Sequence, residues 1–154
     1  MSPDVVVEEV RDASAELLAD LNALLPQLSS SAAPLTLATL TELLAREGTA
    51  VFVARLAGRV VGTLTLVEFA IPTGHRAWIE DVVVDASARQ RGVADQLTRA
   101  ALALAAAHGA RQVDLTSRPS RAAANALYQK LGFARRDTNV YRFSLETTQS
   151  GTPG

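Results

Sequence analysis

The chain has 154 residues, the length of one domain, and its 48% hydrophobic and 20% charged residues are typical of a soluble globular protein. A net charge of −1 gives no overall field that would attract nucleic acid or an anionic membrane. The absence of cysteine excludes disulfides, thiolate nucleophiles and cysteine-bound zinc. The two histidines, His75 and His108, share no ligand spacing, so we expect no metal site.

The first ten residues, MSPDVVVEEV, have neither the basic nor the apolar region of a signal peptide. No apolar run approaches the roughly 20 residues that cross a bilayer. We therefore expect a cytoplasmic protein with neither a membrane nor a nucleic acid as partner. Because 14 of its 15 basic residues are arginine and alanine is abundant, the composition indicates a GC-rich bacterial genome.

Hydrophobic periodicity, capping residues and turn signals predict alternating helices and strands along the chain. In chain order these are a strand at 5–10, a helix capped by Asp12 or Ser14, a loop at 26–34, a helix from Thr36 to near Gly48, strands at 49–55 and 59–69 forming a hairpin, a loop at 71–76, a strand at 77–85, a helix at 92–108, a strand at 111–117, a helix capped by Ser120 and closed by Gly132, and two short strands within 133–145.

The order of these elements predicts a mixed α/β fold. Residues 77–85 are apolar on both faces, which places that strand centrally in a sheet. The helix after it must cross over to the next strand, and such a connection requires parallel pairing. We expect a single domain over residues 1–145, followed by a flexible polar tail at 146–154.

Residues 88–95, ARQRGVAD, lie where the central strand ends and a helix begins. The first turn of a helix has unpartnered N–H groups and partial positive charge. Gly92 and Ala94 would let an anion approach the backbone, and Arg89 and Arg91 add two cations. The alternative is a solvated turn. The position after a central strand favours a diphosphate site.

Residues 82–94, VVVDASARQRGVA, resemble the acyl-CoA signature of the GNAT family, the Gcn5-related N-acetyltransferases. Residues 122–133, AAANALYQKLGF, resemble a second motif of that family, and the element order agrees over about residues 5–145. The resemblance implies a GNAT-type mixed, mostly antiparallel twisted sheet of six or seven strands with about four helices. It also implies that the sheet splays between the strands at 77–85 and 112–117.

The resemblance further implies acetyl-CoA as co-substrate, with no metal. Its pyrophosphate would lie on the helix mouth and its pantetheine arm would pair with the strand before it. The residues implied in binding are Val82, Val83, Val84, Arg89, Gln90, Arg91, Gly92, Val93, Ala94, Asp95, Asn125 and Tyr128. The chain departs from the family pattern at Ala86, at Asp95, which brings a carboxylate to the pyrophosphate, and at Arg121, which could reach the phosphates or face solvent.

Glu80 and Asp81 form a carboxylate pair in an otherwise apolar strand, which is costly without a role. Strand alternation predicts that Glu80 shares a face with Val82 and Val84. Similarity to family members that acetylate diamines and amino sugars implies that Glu80 is the general base, acting through water, and that Asp81 binds the acceptor. The alternative is that both carboxylates pair with arginines such as Arg76 or Arg55.

Tyr128 occupies the position of the family's general acid, and the Val82 N–H that of its oxyanion donor. We therefore expect an acetyl-CoA-dependent N-acetyltransferase that acts on a primary amine of a small molecule or peptide. Three alternatives stay open: a different acyl group, a non-catalytic acyl-CoA-binding regulatory module, and an unrelated phosphate-binding domain. The acceptor is not readable from the sequence. A homodimer is a further open expectation.

Overall fold

The structure, a computed structural model, describes residues 4–146. Its elements in chain order are β1 (Val5–Val10), α1 (Ala15–Leu24) with a 3-10 turn (Leu25–Gln27), α2 (Leu37–Ala45), β2 (Thr49–Leu56), β3 (Arg59–Ile71), β4 (Gly74–Val84), a 3-10 turn (Ala86–Ala88), α3 (Val93–Ala107), β5 (Val113–Asp114) and α4 (Ala122–Leu131). No helix among these residues is long and apolar enough to cross a membrane.

Internal contacts divide the chain after Arg118 into two compact units. We call residues up to Arg118 the amino-terminal unit and those from Pro119 the carboxy-terminal unit, and we describe each by itself. The single domain over 1–145 stays a prediction. The expected flexible tail, 146–154, lies outside the described residues except for Glu146.

The amino-terminal unit contains one five-stranded sheet in the order β1-β2-β3-β4-β5. Neighbouring strands from β1 to β4 are antiparallel, and β5 is parallel to β4, as the crossover helix requires. The pairing of β4 with β5 joins only Ala77 to Val113 and Trp78 to Asp114. Beyond Trp78 the two strands part. The predicted mixed sheet, its four α-helices and its splay are therefore confirmed.

Three sequence predictions about element boundaries are wrong. The described sheet has five strands and not six or seven, because the predicted pair within 133–145 forms no ladder. The predicted loop at 71–76 is a tight turn, since β3 and β4 stay paired out to Ile71 and Gly74. Helix α4 begins after Arg121 with no side-chain cap, although Ser120 was expected to supply one.

Helices cover both faces of the sheet. On one face, leucines of α1 and α2 pack on Val53, Val60 and Val83 of the strands. The amino-terminal caps of both helices form as expected: the Ser14 hydroxyl accepts the Leu17 N–H, and Thr36 forms a capping box with its N3 residue. On the other face lies α3.

Gly62 of β3 lies against the first turns of α3. A Cβ at this position would lie 2.8 Å from Cγ1 of Val93 and 3.2 Å from Cδ1 of Leu97. Val93 is the first residue of α3, and its β-branched side chain has little rotamer freedom in a helix. Glycine at position 62 therefore allows the helix mouth to rest directly on the sheet.

We expect Gly62→Ala to lower the free energy of unfolding by about 1–3 kcal/mol, because the added methyl overpacks this contact. For a chain of this length the melting temperature should fall by about 2–4 °C per kcal/mol. Val93→Ala removes the colliding methyls, so the double variant should lose less stability than the sum of the two single losses. Wild-type stability in Gly62→Ala would contradict the packing argument.

Candidate active site

A β-bulge interrupts β4 where it begins to part from β5. Thr65 of β3 is opposite Glu80, and Thr63 is opposite Val83. One residue of β3 therefore faces two residues of β4, Asp81 and Val82, which have no ladder partner on β3. Asp81 has a φ of 51°, a conformation that non-glycine residues adopt rarely. The bulge thus takes the Asp81–Val82 backbone out of the regular ladder.

The bulge also corrects the predicted orientation of Glu80. Opposed residues of an antiparallel pair share a face, and so do Thr63 and Thr65, two residues apart on β3. Glu80 therefore shares a face with Val83, not with Val82 and Val84. Since Val83 packs against the α1 and α2 cluster, Glu80 is directed to that side of the sheet.

Glu80 and Asp81 are exposed. Within residues 4–146 neither carboxylate forms an ion pair, and the guanidinium of Arg55 instead binds Glu8 at 2.8 Å. The alternative interpretation, in which arginines such as Arg76 or Arg55 pair with Glu80 and Asp81, therefore does not hold among the described residues. Both carboxylates are accessible to a cationic or amine ligand.

The mouth of α3 has the features of an anion site. Gly92 is the N-cap residue, has a φ of 75°, and supplies no side-chain acceptor to the amides of the first turn. A Cβ there would meet no atom within 4 Å, so the space beside Gly92 is open. Gln90 also has a positive φ, and Arg89 and Arg91 are exposed. Unpartnered amides, open space and two mobile cations fit a diphosphate.

Asp95, the one acidic residue in the first turn of α3, is held by a neighbour. Its Oδ1 accepts from Nε of Arg99 at 2.6 Å across one helical turn. In the sequence, Asp95 is a departure from the family pattern that brings a carboxylate to the expected pyrophosphate. Because Arg99 offsets this charge, Arg89 and Arg91 are left for a ligand.

Sequence reasoning missed a clamp that fixes the segment between β4 and α3. Gln27, at the end of the 3-10 turn after α1, donates to Oδ1 of Asp85 at 2.7 Å and accepts the Ala86 N–H at 3.0 Å. Ser87 donates to the other carboxylate oxygen through its hydroxyl and its N–H. These hydrogen bonds, that of the Ser87 side chain first, lower the pKa of Asp85 to about 2. A sequence separation of 58 between Gln27 and Asp85 hid the contact in the sequence.

The structure also brings the two histidines together. The carboxylate of Glu68, only 7% exposed, binds Nε2 of His75 at 2.9 Å and Nδ1 of His108 at 2.7 Å. His75 lies in β4 and not in a loop, and the cluster ties the β3–β4 hairpin to the end of α3. No group of residues in the described part of the chain could hold a metal ion.

In the carboxy-terminal unit, Tyr128 is buried and its ring meets Phe133 edge to face, with ring centroids 5.6 Å apart. Burial raises the pKa of the Tyr128 phenol, and the charge of Arg121 opposes that rise. The phenol is therefore protonated at neutral pH and can donate a proton. Arg121 is the N-cap residue of α4, and Asn125 and Tyr128 follow it at spacings of four and three residues, which places the three on one face of the helix.

Two surface hollows of the amino-terminal unit lie away from the predicted site residues. One is between α1 and the β2–β3 turn, lined by Glu16, Asp20 and Arg59 among others. The other lies along the end of β1, beside Glu8 and Arg55. Neither includes the bulge or the start of α3.

The Asp85 clamp makes a prediction about pH. The pKa of Asp85 is lower in the folded chain, about 2, than the usual unfolded value of about 3.9. Its ionised form therefore contributes stability above about pH 4, and this contribution is lost as the pH falls toward 2. We expect Asp85→Asn to destabilise the protein at pH 6 and to match the wild type increasingly closely toward pH 3, measured by urea unfolding.

The control is Asp12→Asn, which removes an exposed carboxylate that has no hydrogen bond within residues 4–146. It should leave stability close to that of the wild type across the same range. A loss in Asp85→Asn that does not change with pH would contradict the clamp.

Comparisons with solved structures place this fold among acetyltransferases. An acetyltransferase from Trypanosoma brucei has 28% sequence identity and a TM-score of 0.76 over 92% of this chain and 100% of its own. The aminoglycoside acetyltransferase meta-AAC0020, from an uncultured soil metagenomic sample, has 20% identity and a TM-score of 0.82 over 92% and 97%. Aminoglycoside N-acetyltransferase AAC(6')-Iy, solved with CoA, has 19% identity and a TM-score of 0.76 over 94% and 97%.

The two aminoglycoside enzymes are similar to this chain in fold, and that similarity does not identify the substrate of this chain. No curated protein matches this sequence. The sequence model of the acetyltransferase (GNAT) family matches residues 16–133, which includes the bulge, the helix mouth and Tyr128. This chain therefore belongs to the GNAT family of acetyltransferases.

Proposed function

We propose that the protein is an acetyl-CoA-dependent N-acetyltransferase that acts on a primary amine. The observation that carries the proposal is the open, uncapped mouth of α3 directly after a strand that bulges and parts from its neighbour. The first feature suits a diphosphate, and the second gives an extended ligand a free strand edge to pair with.

The residues present fit CoA. The pyrophosphate would bind the amides of residues 89–95, with Arg89 and Arg91 as counter-charges. The pantetheine arm would pair with Val82 and Val84, where β5 no longer accompanies β4. The hydroxyl oxygen of Ser117, three residues after β5, is buried with no hydrogen-bond partner within residues 4–146. Such a buried group is uncommon in a native protein, and an amide of the arm could satisfy it.

Amide formation requires two proton transfers. The acceptor ammonium must lose a proton before its nitrogen attacks the thioester carbonyl carbon, and Glu80 would take that proton through water. As the C–N bond forms and the C–S bond breaks, the thiolate would take the phenolic proton of Tyr128, as the family resemblance implies. The Val82 N–H, released from the ladder by the bulge, would donate to the carbonyl oxygen.

The acceptor would approach from the side of the sheet covered by α1 and α2, because Glu80 is directed there. Asp81 next to it is exposed and would bind a second cationic group of the acceptor. Two adjacent free carboxylates favour a small polyamine or an amino sugar over a neutral amine. Such an enzyme would act in the cytoplasm of a bacterium.

The proposed pyrophosphate-binding site at the start of α3 can be tested by ligand binding. We expect acetyl-CoA to bind with micromolar affinity that weakens at high salt, and Gly92→Val to weaken it by about 10-fold or more, equivalent to losing a charge-assisted hydrogen bond. The control is Gly109→Val, at the other end of α3. That glycine has a φ of 89° and equally open space, so it carries similar backbone strain without a ligand. If calorimetry shows that both variants lose acetyl-CoA affinity equally, the start of α3 is not the pyrophosphate-binding site.

The second prediction concerns the chemistry. Tyr128→Phe should keep acetyl-CoA affinity and lower turnover by roughly 100-fold, the low end of general-acid effects. Glu80→Gln should lower turnover at neutral pH and recover partly as pH rises, because more acceptor is then already deprotonated. Turnover is read as free thiol released with a panel of diamines and amino sugars.

Tyr141→Phe is the control for Tyr128→Phe, because it removes the hydroxyl of an exposed tyrosine. Wild-type rates in both Tyr128→Phe and Glu80→Gln would reject the acid–base assignment. Tight CoA binding without turnover on any amine would instead identify a non-catalytic CoA-binding module.

A further inference from the structure

The segment that follows β4 in the amino-terminal unit has its backbone donors satisfied within the protein. The N–H groups of residues 85–88 donate, in chain order, to the carbonyl of Val61 at 2.7 Å, the side-chain oxygen of Gln27 at 3.0 Å, the carboxylate of Asp85 at 3.0 Å and the carbonyl of Asp85 at 2.9 Å. This segment therefore keeps no backbone donor for a ligand. The amides proposed to bind the diphosphate begin directly after it, at Arg89.

The loop at 89–91 is short and is fixed at both ends. Before it, Ala88 is buried, at 1% exposure. After it, the carbonyl of Gly92 accepts the N–H of Gln96 at 3.0 Å in the first turn of α3. A loop of this length between fixed ends has few conformations available, and here Gln90 has a φ of 63°. The geometry of the loop therefore depends on where residues 85–88 are held.

Gln27 holds this segment from a distant part of the chain. Its amide nitrogen donates to Oδ1 of Asp85 at 2.7 Å, while its amide oxygen accepts from the next residue. The turn that carries Gln27 is well supported, because Leu21 and Leu24 are buried and Leu25 packs on the same core cluster. An exposed glutamine loses rotamer freedom when both ends of its amide are held. The contact is thus a fixed link between α1 and the loop that enters α3.

We propose that Gln27 is a positioning residue of the acyl-donor site. By holding Asp85 and Ala86, it keeps residues 89–92 in the conformation that receives the diphosphate of acetyl-CoA. Gln27 acts through this loop and not by contact with the donor. A loop that already has its bound conformation loses less entropy when the ligand binds, so the contribution of Gln27 is to affinity. This role rests on the proposed acetyl-CoA site.

The hydrogen bonds of Gln27 with Asp85 can be inverted without changing the charge of the pair. Gln27→Glu places a second carboxylate against Asp85, and the two repel each other. Adding Asp85→Asn gives the new carboxylate an amide donor, leaves it an oxygen for the Ala86 N–H, and keeps an amide oxygen that can accept from Ser87. The double variant has the same net charge at these two positions as the wild type, so the field at the diphosphate loop is preserved.

The test compares two acyl donors by calorimetry. We expect Gln27→Glu to weaken acetyl-CoA binding by about 10-fold, the effect of losing one hydrogen bond to a charged group, and the double variant to recover most of that affinity. S-acetylpantetheine keeps the thioester and the pantetheine arm but lacks the diphosphate, so it should bind Gln27→Glu and the wild type equally. The control is Gln112→Glu, which adds the same charge at an exposed glutamine beside the Ala77–Val113 pair, near the other end of β4.

The outcomes separate the role of Gln27 from the acetyl-CoA site itself. An equal loss of affinity for both donors, or a double variant that binds no better than Gln27→Glu, overturns the positioning role. Wild-type acetyl-CoA affinity in Gln27→Glu also overturns it, while the proposed acetyl-CoA site then still stands. If the wild type itself binds no acetyl-CoA, the proposed site fails and the positioning role fails with it.

A smaller change provides the same test if Gln27→Glu does not fold. Gln27→Ala removes both hydrogen bonds without adding a charge, and urea unfolding shows whether each variant is folded at the temperature of the titration. We expect Gln27→Ala to weaken acetyl-CoA binding and to leave S-acetylpantetheine binding unchanged. Unchanged acetyl-CoA affinity in the folded Gln27→Ala variant overturns the positioning role.

Discussion

The site depends on a mismatch of one residue between two paired strands. Where β3 presents one residue, β4 presents Asp81 and Val82, and Asp81 adopts a φ of 51° to accommodate the extra length. A bulge of this kind bends the strand and increases its twist. Just before this point β4 loses its pairing with β5 beyond Trp78. One local irregularity therefore frees backbone donors and lies beside the opening that an acyl donor would require.

The mismatch also determines on which face of the sheet the carboxylate of Glu80 lies. Without it, Glu80 would lie on the α3 face together with Val82 and Val84. With it, Glu80 lies on the α1 and α2 face while the two valines stay on the other. The residue proposed as proton acceptor and the backbone proposed to pair with the cofactor thus belong to one strand but face opposite sides of the sheet. This separation suits a reaction in which two substrates approach a common carbonyl from different directions.

The sequence predicted the parts of the fold that depend on local signals. Ser14 and Thr36 cap helices in the structure as their residue types indicated, and Gly132 closes α4 in the left-handed conformation. Parallel pairing of β5 followed from the crossover helix alone. The bulge was not predicted because no residue of the EDVVV run marks it, and a register shift arises from the pairing of two strands and not from either one. The contacts of Glu68 with both histidines and of Gln27 with Asp85 join residues too far apart for any local pattern.

The strands predicted within 133–145 show that strand propensity and strand pairing are different kinds of information. Alternation and β-propensity predict that a segment can form a strand, but they do not identify the strand with which it pairs. An unpaired strand is not stable by itself, because its backbone donors and acceptors must be satisfied by a neighbour or by water. The local pattern therefore predicts that residues 133–145 can form strands, but only a pairing partner decides whether they do.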